Sequence, residues 1–332
     1  MFQKTTAFVA TGIVALFLAG CAQGGSPDDM SADDTFPERK IEFLVAFSPG
    51  GAVDTAARLV APVLERELGV PVEVNNVTGA GGQVGYTQLA KAAPDGYTIG
   101  TTGSPSVVVS PLDPSRGATY TMESFQPLAM QVVDPAAIAV PVDSPHQTLE
   151  ELFTAVRSAP GTVNATTTGL QTGEHFVIAE LADEFGVEFN PVHFAEGATA
   201  ATTAFLGGHV ETLVANVSDV KELEDQGKAR VLGIMADERH TSLPEAPTFE
   251  EQGYEISTGT VRGFSAPAGL PDTVLDRLNA AFQAAINDPD VVEKMANLGL
   301  TTDYRDAAGY AEVWAEQDTM YRSVLDLVLE AK

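Results

Sequence analysis

Two glycine-rich runs hold the residues whose types and spacing could do chemistry. The first is Phe47-Ser48-Pro49-Gly50-Gly51-Ala52-Val53-Asp54, which closes an apolar run from Ile41 and opens a helical pattern through Leu59, Val60, Val63, Leu64 and Leu68. A strand that turns on paired glycines into a helix leaves the first helical amides without internal partners. Those amides carry partial positive charge, so a carboxylate or phosphate is their natural guest. The same residues also describe a plain tight turn with Asp54 as a helix-start carboxylate. The second run is Thr78-Gly79-Ala80-Gly81-Gly82-Gln83-Val84-Gly85. It fails the dinucleotide fingerprint, because G-x-G from Gly79 reaches Val84 where a third small residue is required, and it has no Gly-Lys-Ser/Thr of a phosphate loop. It reads as a second bare-backbone loop beside the first.

The elements that must position these loops alternate. Ile41 to Phe47, Val70 to Val74 and Tyr97 to Thr101 read as strands, separated by the helix ending at Leu68 and a second from Tyr86 to Ala92. Strand, helix, strand, helix, strand predicts an α/β fold with a parallel sheet and helices on both faces. Ligands of such sheets sit at the carboxyl ends of the strands, where both glycine runs fall. Beyond Val140 the alternation resumes. Thr148 and Glu151 form a capping box for a helix to Arg157, Val163 to Thr167 is a strand, and helices follow at Glu174 to Glu184 and Thr199 to Leu206. Strands at Val210 to Ala215, Val231 to Met235 and Val261 to Ala266 precede a helical tail from Pro271.

Composition narrows the function. The chain has 332 residues and a formal charge of −28, from 18 basic and 46 acidic side chains. That balance excludes a nucleic-acid phosphate backbone as partner. One cysteine allows no internal disulfide and no cysteine-based zinc site. His146, His175, His193, His209 and His240 form no H-E-x-x-H, and no Gly-x-Ser-x-Gly elbow is present, so we expect no enzyme, no metal and no cofactor. His175, just after a threonine run, is the one histidine placed where a base could act.

The amino terminus reads as an address. Lys4 precedes an uncharged, largely apolar run from Thr5 to Ala19, and Leu18-Ala19-Gly20-Cys21 follows the pattern of a bacterial lipobox. Residues 1–21 are then a lipoprotein signal peptide ending at Cys21, whose sulfur is lipidated, and residues 22–36 a flexible tether rich in Gly, Ser and Asp. This predicts an extracytoplasmic protein, either lipid-anchored to the outer face of the cell membrane or periplasmic. Its membrane contact is through the anchor only, since no later segment is long and apolar enough to span a bilayer.

Several motifs in order carry a family resemblance. Phe47 to Asp54, Gly79 to Gly82, Ala93-Pro94-Asp95-Gly96-Tyr97-Thr98, Leu206-Gly207-Gly208, Gln226 to Arg230, Leu243 to Thr248, Gly253-Tyr254 and Ala266 to Pro271 resemble the substrate-binding proteins of tripartite tricarboxylate transporters, the Bug receptors. The resemblance runs from about Phe36 to the carboxyl end. It implies a two-lobed, periplasmic-binding-protein-like fold of the type II, Venus-flytrap kind with two chain crossings. Lobe one is then residues 37–140 plus 248–332, and lobe two residues 141–247. It implies a receptor that binds a small organic carboxylate and delivers it to large and small membrane permease subunits. A sensing receptor without transport, or a secreted hydrolase, are the alternatives. By matched position it points to Phe47, Ser48, Gly50, Gly51 and Asp54, with Ala80, Gly81 and Gly82, as ligand-binding residues. From lobe two it points to the hydroxyl run Thr166-Thr167-Thr168-Gly169 and to Asn216 and Ser218, with Ala215 where the family has aspartate. Arg262 stands where members place aromatic residues or arginine, and an arginine can grip a carboxylate with two parallel hydrogen bonds. Glu196 stands in the segment where the family has Tyr-Lys-Gly, and at a pocket rim it would disfavour a multiply charged anion.

Overall fold

The computed structural model describes residues 35–194 and 197–330. The signal peptide, Cys21, nearly all of the tether, and Glu196 lie outside the described residues. Phe36, given above as the last tether residue, already packs edge-on against Tyr97, with ring centroids 5.1 Å apart.

The first sheet grows from β1 (Ile41–Val45), β2 (Val72–Asn76) and β3 (Thr98–Ser104), which pair in parallel with β1 in the middle. Successive residues of β1 point to opposite faces. Ile41, Phe43 and Val45 enter a core shared with α1 (Ala52–Leu68) and α8 (Asp272–Ile286). Leu44 enters the opposite core, with α2 (Gln83–Ala90) and the carboxyl-terminal α10 (Ala307–Glu330). The parallel arrangement stops there. β9 (Gly259–Pro267) pairs antiparallel with β3 and with β4 (Phe125–Pro141), and β10 (Thr302–Arg305) closes the far edge antiparallel to β4.

β4 was not expected from the sequence, yet it joins the two lobes. Its residues Phe125 to Pro135 pair with β9, and Ala136 to Pro141 pair with β7 (Leu213–Asn216) and β8 (Ala229–Ile234). The change of partner falls at Pro135, which has no amide hydrogen to give to a ladder. Lobe two adds α4 (Leu149–Ser158), the parallel pair β5 (Asn164–Thr167) and β6 (Asn190–His193), and helices α5 (Gly173–Phe185), α6 (Ala198–Leu206) and α7 (Val217–Asp225). Phe249 and Tyr254 pack with Phe153 in the lobe-two core. We therefore place the crossings at Pro135–Ala136 and Thr258–Gly259, in place of 140/141 and 247/248, because strand pairing changes lobe at those points. Among the described residues no helix is long and apolar enough to cross a membrane.

Candidate anion site at the glycine loops

The loop after β1 is shaped by Asp54, which is 2% exposed. Gly50, at φ +81°, turns its amide to Asp54 Oδ2 at 2.8 Å, a backbone shape that L side chains resist. Arg58 Nε donates to both carboxylate oxygens at 3.0 Å, and Asn76 Nδ2 donates to Oδ1 at 2.8 Å and to the Phe47 carbonyl at 2.9 Å. Burial works against the charge of Asp54, but the bonds from Arg58, Gly50 and Asn76 outweigh it and hold the carboxyl below its ordinary value. Asp54 is thus the internal brace of the loop, its carboxylate taken up by Gly50, Arg58 and Asn76. Gly51 caps α1 without a side chain, and Ser48, Gly51 and Ala52 are exposed. The chain at the very start of α1, Gly51 and Ala52, is thus exposed, and no side chain caps the helix there.

The second loop presses against the first because two positions lack side chains. A Cβ on Gly85 would lie 2.8 Å from Ala46 Cα and from the Val77 carbonyl, and one on Gly82 would lie 2.8 Å from the Tyr86 ring. Ala80, Gly81 and Gly82 all have positive φ. Ala80 and Gly81 present an exposed backbone, while Gly82 is buried over Tyr86. Phe47 meets Tyr86 edge-on at 6.4 Å, and Tyr86 bonds Ser106 Oγ at 2.9 Å, so one buried ring ties both loops to the start of α3 (Ser106–Val109). The roles of Asn76, Gly85 and Tyr86 in joining the loops are not expected from the sequence. Gly85, closing the second glycine run, was the one visible signal.

Lobe two contributes differently from expectation. Thr166 is fully buried, and its Oγ1 donates to the Val214 carbonyl and accepts from the Val214 amide. Thr167, also fully buried, bonds His193 Nδ1 at 2.6 Å and Gly169. Thr168 donates to Glu174 Oε2 at 2.7 Å. These hydroxyls hold the loop together and are not free donors. Asn216 Oδ1 accepts from Thr260, while Ser218 donates through its amide and hydroxyl to Asp134 at 3.1 and 2.6 Å. Arg262 Nη1 reaches the same carboxylate at 2.9 Å, with Asp134 1% exposed. Arg262 and Ser218 therefore brace the strands at the crossing against α7, with Arg262 Nη1 held by the buried Asp134.

Two of the histidines face each other in lobe two. His175 and His193 stack edge-on at 4.7 Å. Burial, with a smaller push from His193, lowers His175 to about 4, so its ring is neutral and its Nδ1 accepts from the Gln171 amide at 3.1 Å. Thr167, bonded to His193, is too deeply buried to attack a substrate. Two cavities of about 620 and 670 Å³ lie elsewhere, one lined by Phe125 and Trp314, the other by Phe194 and His209.

Residues 56–327 match the sequence profile of the tripartite tricarboxylate transporter family receptor. A UPF0065 protein from the tcbD-tcbE intergenic region of a Pseudomonas species is 34% identical over 305 residues, covering 90% of this chain and 88% of its own. A TctC solute-binding protein from Polaromonas, solved without ligand, superposes with a TM-score of 0.77 at 28% identity, over 88% of this chain and 99% of that one. MatC from Rhodopseudomonas palustris, solved with bound malate, superposes with a TM-score of 0.74 at 28% identity, over 87% of this chain and 99% of that one.

Proposed function

This chain belongs to the tripartite tricarboxylate transporter receptor family, and from that premise we propose that it is an extracytoplasmic receptor holding a small organic carboxylate on main-chain amides at the mouths of the two glycine loops. One observation carries the site assignment: α1 starts on an uncapped Gly51 beside the exposed Ala80–Gly81 backbone, with Asp54 bracing the junction from inside. Long-range attraction cannot bring an acid to a chain of charge −28. Affinity comes instead from short charge-assisted bonds, each worth about 1.5–3 kcal/mol. Four or five of them suffice for roughly micromolar binding after association costs. The bound malate of the related MatC supports a carboxylate as the ligand class. The family role supports delivery to large and small permease subunits, and the lipobox pattern supports a lipid anchor at Cys21.

A thermal-shift panel of L-malate, succinate, adipate and citrate tests the ligand class, since any ligand of the native state raises the transition. One of these acids is expected to raise it while neutral sugars do not; the reverse pattern refutes the assignment. The anchor is checked by metabolic labelling with a fatty acid, which Cys21→Ser should abolish; labelling that survives the substitution removes the anchor.

A further inference from the structure

Resting on the carboxylate reading, we propose that Arg116 is the ligand's charge partner at the second glycine loop, so that the receptor selects an ionised acid over its neutral amide. Arg116 ends a short turn, Pro114–Arg116, and its Nη2 is the nearest group, at 3.7 Å, to where a Gly81 Cβ would stand. A carboxylate on the Ala80–Gly81 backbone therefore sits beside this guanidinium.

The side chain is held in place. Its Nη1 donates to Ser110 Oγ at 3.1 Å, and its carbonyl accepts from Gln83 Nε2 at 2.9 Å, fixing the turn to the start of α2. The base of the turn is gripped from the other lobe. Asp113, 4% exposed, takes the Ser115 amide at 2.9 Å on one oxygen and Gln171 Nε2 at 2.5 Å on the other. Gln171 lies in the lobe-two loop before α5 and is 6% exposed at φ +57°. The arginine thus stands on a turn where the lobes meet.

Its charge is also unspent. The chain carries 46 acidic against 18 basic side chains. Arg39, Arg58, Arg66, Arg157, Arg239, Arg262, Arg305 and Arg322 all form ion pairs with carboxylates. Among the described residues Arg116, Arg230 and Arg277 form none, and of these Arg116 is the one beside the second glycine loop, half-buried and so short of part of its hydration. A fixed, unneutralised guanidinium over bare backbone is suited to one anionic oxygen, because Nη1 is already engaged.

Calorimetric titration of the full chain tests this with L-malate, succinate, adipate and citrate, and with succinamate as the monoamide of succinate. Arg116→Gln is expected to weaken the best-bound acid about 10- to 100-fold and to narrow the preference for succinate over succinamate, while Arg116→Lys recovers part of both. Arg39→Gln removes the same charge from an exposed pair with Asp95 and should leave binding unchanged. The ligand-free melting temperature of Arg116→Gln should stay near that of the parent. Parent-like affinity in Arg116→Gln, or an equal loss in Arg39→Gln, overturns the role of Arg116 and leaves the carboxylate reading standing. A parent protein that binds none of these acids overturns both.

Discussion

At Gly51 the chain keeps an ordinary φ of −76°, and an added Cβ would meet only the Ser48 carbonyl at 3.5 Å. The position is therefore open to a side chain without strain, unlike Gly50 at φ +81°. Gly51→Val should fold, lose only a few tenths of a kcal/mol to about 1 kcal/mol from the poorer cap, and shield the first-turn amides of α1. Titration with the best-binding acid is expected to show affinity reduced at least about 10-fold; unchanged affinity removes the first loop from the site. The glycine types were legible in the sequence because a bare backbone announces itself. The roles of Thr166, Thr167 and Arg262 were not, because a hydroxyl or guanidinium has the same letter whether its partner is a ligand or the facing strand. Asp54 shows the same limit, since its partners Asn76 and Gly50 become visible only once β1 and β2 are paired.

Among the elements, the packing of α5 on α10 carries a pH-sensitive group. Phe176 and Tyr321 meet with ring centroids 4.7 Å apart, and Glu180 on α5 is 7% exposed with Oε2 unbonded within the protein. Burial, and then repulsion from Glu184, push Glu180 up to about 7. A raised carboxyl holds its proton in the fold when the unfolded chain has already released it. Its contribution is complete below the ordinary value of 4.5 and fades as pH rises through about 7. Glu180→Gln should therefore be more stable than the parent at pH 8, by up to about 3 kcal/mol, and little different at pH 4. Denaturant melts at the two pH values decide it, and an equal difference at both contradicts the assignment. Strand β4 shows where pattern reading failed. Its 17 residues include Pro127, Asp134 and Pro135, which interrupt any period of two, and register shifts follow Pro127, between Pro127 and Ala129 and between Met130 and Val132. The shorter strands β1 and β2 flank α1, whose apolar stripe and closing Gly69 are plain in the sequence, so their alternation could be read directly.

For the molecule as a whole, the two lobes share β4, and the buried Asp134, bonded to Arg262 on β9 and to Ser218 on α7, sits just before the point where β4 passes from one lobe to the other. The two-lobed plan was legible through a resemblance spread over many short motifs, while the crossing points were not, since they depend on which strand each half of β4 finds. A chain of charge −28 that captures an acid must do so at close range, on amides and on a charge left unpaired. A crystal structure with the acid that most raises the transition tests this most directly. A carboxylate is expected within hydrogen-bond distance of the first amides of α1 and the Ala80–Gly81 backbone. Both loops empty, with the acid bound elsewhere, would contradict it.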